Sequence, residues 1–124
     1  MAQVYKSGAF LQQCWSVHPL CIEVRRMTGE HQLGLACTSC RFAHYLTLES
    51  VVVRASAVLE GAEDVFNEPL PGKGEDQLAG CLQSHAQSLS LREMDVFEDL
   101  VMIRCAECRR HYALNVSAFE THEK

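Results

Sequence analysis

The stretch "GLACTSCRFAHYLTL" (residues 34–48) sets Cys37 and Cys40 in a C-x-x-C spacing between apolar flanks, followed by an arginine, a histidine and a tyrosine. Near the other end of the chain "IRCAECRRHYALNV" (103–116) repeats the pattern with Cys105 and Cys108. The two stretches share the cysteines, the arginine after them, a His-Tyr step offset by one position and an apolar strand beyond. They read as one structural unit used twice. What those cysteines do decides the fold.

With 124 residues, 48% hydrophobic and 22% charged, the chain has the composition of one globular domain, taken here as residues 1–124. A chain of this size buries roughly two thirds of its unfolded surface, enough for a real core. No apolar run reaches the ~18 residues that span a bilayer, and the N-terminus lacks a basic region leading into an apolar one. The expected address is the cytoplasm, with no membrane partner. In a reducing compartment seven cysteines, an odd number, point to metal or redox chemistry before structural disulfides.

The net charge of −5 is unevenly spread. Residues 58–100 hold ten acids against Lys73 and Arg92, so the flanks that carry both pairs are net basic. An acidic chain is a poor general nucleic-acid binder, because nonspecific affinity comes from neutralising phosphates. Arg41, Arg104, Arg109 and Arg110, beside the pairs, still offer a local contact face for a partner or a nucleic acid.

Periodicity supplies the elements. Phe10, Leu11, Cys14, Trp15 and His18 form a helical stripe over 8–18 that Pro19 stops. Residues 20–36 read as a hairpin leading into the first pair. Leu48, Val51, Val52, Ala55, Val58 and Leu59 give a helical period over 47–60. "NEPLPGKGED" (67–76) is a loop, part of an acidic insert and exposed segment at about 61–89. Leu78, Cys81, Leu82 and His85 predict a short helix capped by Asp76, and Ser90 with Glu93 forms a capping box for another through Leu91, Met94, Phe97, Leu100 and Val101. Residues 112–116 return as a strand, with a frayed tail after them. The expected fold class is α+β: a small single domain with zinc-ribbon-like β-hairpins and three or four short helices.

Two C-x-x-C turns facing one another can enclose a tetrahedral zinc at about 2.3 Å from each sulfur. The 64 residues between Cys40 and Cys105 are a long insert. Because closure entropy grows only logarithmically, the extra length costs roughly 1.3 kcal/mol, against the ~10 kcal/mol of a structural zinc. On these four cysteines the chain resembles the zinc-ribbon and zinc-knuckle class, and more loosely small bacterial zinc-ribbon proteins with two such turns. The resemblance implies one structural Zn2+ held by Cys37, Cys40, Cys105 and Cys108, with Arg41 and Arg109 standing where a glycine commonly follows. The class is functionally broad and transfers no activity.

Other readings stay beside this one. His44 or His111 can replace a cysteine ligand, while Cys14, Cys21 and Cys81 are most simply buried thiols. A thiol-disulfide redox protein is a second alternative, although a reactive C-x-x-C belongs at a helix start, where the dipole lowers the thiol pKa. No nucleophile elbow, phosphate loop or paired-carboxylate motif is present, so no enzyme is expected. The function expected is a non-catalytic protein-interaction module, regulatory or inhibitory, with a protein partner favoured. A nucleic-acid-binding, transcription-associated zinc ribbon acting through the basic turns is the first alternative.

Overall fold

The structure, a computed structural model, describes residues 4–29, 31–59, 62–69 and 72–123. In chain order the elements are β1 (Val4–Tyr5), α1 (Ala9–Val17), β2 (Ile22–Gly29), β3 (Gln32–Cys37), β4 (Phe42–Leu59), β5 (Ala62–Pro69), α2 (Gly74–His85), β6 (Leu89–Asp95), β7 (Leu100–Cys105) and β8 (Arg110–Glu123). Short 3-10 turns at Pro19–Cys21 and Ala86–Ser88 follow the two helices. Strands take up 54% of the chain and form one antiparallel sheet curled into a half-barrel. The expected α+β domain with three or four helices is therefore corrected: among the described residues there are two α-helices and eight strands.

The repeat seen in the two cysteine stretches extends through the whole fold. The sheet order β2-β3-β4-β8-β7-β6 reads as helix, hairpin and long strand, then the same unit reversed about a twofold axis between β4 and β8. An offset of 67 residues maps Leu11, Cys14, Ile22 and Val24 onto Leu78, Cys81, Leu89 and Leu91, all buried. Past the hairpin the offset becomes 68, mapping Leu33, Leu35, Leu46 and Leu48 onto Val101, Ile103, Leu114 and Val116, also buried. The short strands obey the same symmetry, with β1 on the far end of β8 and β5 on the far end of β4. Each helix packs across the axis: α2 lies on β2 and β4, and α1 reaches β6. The units are interlocked and share one core.

Two sequence readings fail for a single reason. Along β4, Leu46, Leu48 and Val53 are buried and Val51 is half-buried, but the register slips between Leu48 and Ser50. An inserted residue changes the phase of the period-2 pattern, so inward positions fall three apart. That spacing, with Leu48 followed by Val51, imitates a helix. The expected helix over 47–60 is instead the middle and end of β4, where Val51, Val52 and Val53 find the extended backbone β-branched residues favour.

The expected helix from Ser90 to Val101 repeats the error. Leu91 and Met94 both face inward because the β6–β7 register slips between Leu91 and Glu93. Beyond them Asp95 accepts from the backbone N–H of Phe97 at 3.0 Å and of Glu98 at 3.3 Å, closing a turn rather than propagating a helix. The tail expected to fray is also held, since Phe119 to Glu123 pair with β4. Helix α2 forms as expected but starts at Gly74, one turn nearer the N-terminus in effect, with Glu75 and Asp76 in its first turn, where carboxylates favour the helix dipole. Of the expected loop at 67–76, residues 70 and 71 lie outside the described residues; 67–69 belong to β5 and 74–76 to α2.

The start of α2 is placed by a close approach. A Cβ on Gly74 would lie 2.2 Å from the Val51 carbonyl oxygen, so only glycine lets the helix sit on β4. Gly80, on the same helix, has nothing within 4 Å of such a Cβ. Gly74→Ala should therefore lower stability in urea unfolding by about 1–3 kcal/mol through overpacking. Gly80→Ala should leave it unchanged or raise it by up to about 1 kcal/mol through helix propensity. Equal effects at the two positions would contradict the helix placement.

A second expectation concerns His44, which is 0% exposed and binds Thr121 Oγ1 through Nδ1 at 2.8 Å, across the β4–β8 ladder. Its Nε2 is buried without a hydrogen-bond partner, and burial pulls its pKa from 6.5 down to about 4. The folded state thus holds His44 neutral where the unfolded chain already takes up a proton. Stability is unaffected above about pH 6.5 and falls as the pH drops from there towards 4, by up to about 3 kcal/mol. Relative to His44→Leu, the wild-type protein should lose stability over that window alone; parallel pH profiles for the two would refute the assignment.

Candidate metal centres

Each C-x-x-C stretch folds as a tight turn between two strands. At both turns the last cysteine's N–H points back at the first sulfur, Cys40 N to Cys37 Sγ and Cys108 N to Cys105 Sγ, each at 3.4 Å. The residue that follows adopts a left-handed backbone, φ 61° at Arg41 and 54° at Arg109. This is the conformation a glycine supplies without strain, so arginine occupies the glycine position without changing the turn. Each turn is tied to the 3-10 turn beside it: Thr38 N donates to Cys21 O, and Ala106 N donates to Ser88 O, both at 2.9 Å.

The structure does not bring Cys37, Cys40, Cys105 and Cys108 together. Cys37 is paired with Phe42 at the start of β4, whereas Cys105 is paired with Arg110, whose β4 neighbour is Ala55. The turns therefore sit at opposite ends of the β4–β8 ladder, thirteen residues of β4 apart. Each turn instead meets the helix of its own unit. Cys81, His85, Cys105 and Cys108 present one ligand atom each, all within 4.8 Å of one another; Cys14, Cys37 and Cys40 form a second such group.

The first of these groups has the dimensions of a tetrahedral metal site. Cys81 Sγ lies 3.6 Å from Cys108 Sγ, and His85 places Nδ1 3.2 Å from Cys105 Sγ and Nε2 3.2 Å from Cys108 Sγ. Sulfurs bound to one zinc at about 2.3 Å stand about 3.8 Å apart, so little movement is required. Tyr112 lies behind it: its hydroxyl is 2.8 Å from Cys81 Sγ and donates to the Gln77 carbonyl at 3.2 Å.

At the other end His18 stands where His85 does. Its Nδ1 lies 3.2 Å from Cys40 Sγ. Both histidines end their helices in the same extended-turn backbone, φ −130° and ψ 59° for His18, φ −154° and ψ 58° for His85. Both are four residues past a buried helical cysteine, and one turn of helix brings such a pair onto one face.

Crowding of the thiols has an electrostatic consequence. Burial pushes Cys14 far above the ordinary thiol range, reinforced by its hydrogen bond to Cys40 and by the neighbouring Cys37 charge. Burial also raises Cys81 to about 12. Cys37 moves the other way: burial would raise it, but the backbone N–H groups of Cys40 and Ser39 directed at its sulfur hold it lower. Sulfurs gathered this closely do not ionise together unless a cation joins them.

The two helical cysteines and the two histidines were missed as ligands by the sequence reading, which left Cys14 and Cys81 as buried thiols. The signal was present: C-x-x-x-H precedes C-x-x-C in both halves, at nearly equal separation. His44 and His111 join neither group. His44 is committed to Thr121, and His111 is a buried ladder residue opposite Arg104 and Arg54. Nor do the four arginines share a face, since Arg41 follows one turn while Arg104, Arg109 and Arg110 surround the other. No helix among the described residues is long and apolar enough to cross a membrane. No protein-family model matches the chain, and neither the curated proteins nor the solved structures provide a match.

Proposed function

We propose that the protein is a non-catalytic interaction module stabilised by two structural zinc ions, one at each end of its sheet. Cys81, His85, Cys105 and Cys108 hold one ion, and Cys14, His18, Cys37 and Cys40 hold the other. The observation that carries this reading is the complete donor set at Cys81, His85, Cys105 and Cys108, three sulfurs and one nitrogen within 4.8 Å. Four protein ligands fill the tetrahedron that zinc prefers, leaving no position for water or substrate, which is the arrangement of a structural site. The mixed sulfur and imidazole donors favour zinc over harder cations such as magnesium or calcium.

A protein partner is favoured over nucleic acid. Phe97 is 92% exposed at the tip of the β6–β7 turn, between Asp95 and the pair Glu98 and Asp99. An exposed aromatic ringed by carboxylates suits a basic, partly apolar protein surface and repels phosphates. The separation of the arginines between the two ends of the ladder takes away the continuous basic stripe that a phosphate backbone needs.

Metal content decides between this reading and the single four-cysteine site. Protein purified without chelator should carry two equivalents of zinc by elemental analysis. Cys108→Ser and His85→Ala should each lower this to about one, and so should Cys14→Ser and His18→Ala, through the other site. A single site would instead return one equivalent, lost entirely on replacing Cys37 or Cys105 and unaffected at Cys14, His18, Cys81 or His85.

A further inference from the structure

The two units are near copies, so the positions at which their metal centres differ are informative, and two stand out. The first lies behind the helical cysteine. Tyr112 places its hydroxyl 2.8 Å from Cys81 Sγ. Its counterpart, at the offset of 68, is His44, which turns its Nδ1 to Thr121 and has no hydrogen-bond partner at Nε2. Cys14 is therefore without the hydrogen bond that Cys81 receives. Once Cys81 is a thiolate, the Tyr112 hydroxyl is the partner that carries a proton, and its bond withdraws charge from the sulfur.

The second difference lies beside the turn. Cys21 occupies the place of Ser88, the last residue of the 3-10 turn whose carbonyl receives the turn's N–H. The N-terminal centre thus has a cysteine beyond its ligands, and the C-terminal centre has an alcohol in its place. Cys21 is half-buried, in the ladder position next to the Ile22–Cys37 pair, and its carbonyl also accepts from the Thr38 hydroxyl at 3.2 Å. Leu20, just before it, is 98% exposed, so solvent reaches this turn. The Cys21 thiol also lies near enough for its charge to act on Cys40.

We infer that the N-terminal centre is a thiol-oxidation site for hydroperoxides, in which Cys21 captures oxidised Cys40 as a disulfide and the metal is released, while the C-terminal centre persists. This rests on the two-zinc reading above. The chemistry balances with hydrogen peroxide as the oxidant. The Cys40 thiolate attacks one peroxide oxygen, the O–O bond breaks, and a Cys40 sulfenic acid and hydroxide form. The Cys21 sulfur then attacks the sulfenic sulfur and expels the second hydroxide. Two thiols lose two electrons and two protons, peroxide becomes two waters, and Zn2+ leaves because Cys40 no longer offers a thiolate. Ser88 cannot perform the second step, and the Tyr112 hydrogen bond blunts the nucleophilicity of the C-terminal cluster.

The test uses the zinc-loaded full chain, hydrogen peroxide as the probe, a chromophoric zinc indicator and non-reducing peptide mapping by mass spectrometry. One zinc equivalent should be released at least about tenfold faster than the other, together with a Cys21–Cys40 disulfide. Cys21→Ser should start with both zincs and lose that fast phase, whereas Ser88→Cys should give the C-terminal centre a fast phase of its own. Tyr112→Phe should accelerate loss of the slower zinc. Simultaneous release, earlier release from the C-terminal centre, or an unchanged fast phase in Cys21→Ser would overturn the inference. Fewer than two zincs before peroxide is added would instead overturn the two-zinc reading beneath it.

Discussion

The β4–β8 ladder is the constraint on which the rest of the molecule hangs. Its strands are long, 18 and 14 residues, and they pair antiparallel across an axis that relates the two halves of the chain. Because they run in opposite directions, whatever each carries at its start is delivered to opposite ends of the sheet. Both begin immediately after a C-x-x-C turn. The separation of the two cysteine clusters therefore follows from the direction of one strand pair, as does the attachment of β1 and β5 to opposite extremities.

The same ladder explains why each half needs the other. A helix, a hairpin and one strand are too little to close a core, and the helices solve this by crossing the axis: α2 rests on β2 and β4, with Gly74 against the Val51 carbonyl. On the opposite side Gly8, before α1, approaches Phe119, which is the counterpart of Val51. Leu11 and Leu78 are carried beneath the curled sheet, where they are buried. A cysteine and a histidine on each helix are thereby brought to a turn that lies 23 or 24 residues further along the chain. A metal at that junction ties helix to hairpin where backbone hydrogen bonds are few.

Near-identity of the halves also makes their differences readable. Burial and donor type match at one pair of positions after another, so a tyrosine exchanged for a histidine and a serine for a cysteine stand out against a constant background. Both exchanges fall around the metal ligands. They change the polarity and the redox character of one centre while leaving the backbone of its turn the same.

The sequence by itself determined the chemistry of the turns, the existence of a repeated unit and three elements: helix α1, the hairpin before the first pair and helix α2. These are local properties, written in residue type and short spacing, and Cys37-x-x-Cys40 and Cys105-x-x-Cys108 retain them in any surroundings. Three results were decided only by tertiary structure. The strand identity of residues 47–59 and 89–105 was hidden because β-bulges shift the inward positions from two apart to three, and Leu48 with Val51, like Leu91 with Met94, then imitate a helix. Which cysteines share a site depends on strand direction, which no spacing records. The ligand role of Cys14, His18, Cys81 and His85 required the helices to be docked, because a buried thiol on an apolar helical stripe looks the same in sequence whether its neighbours are leucines or three other metal donors.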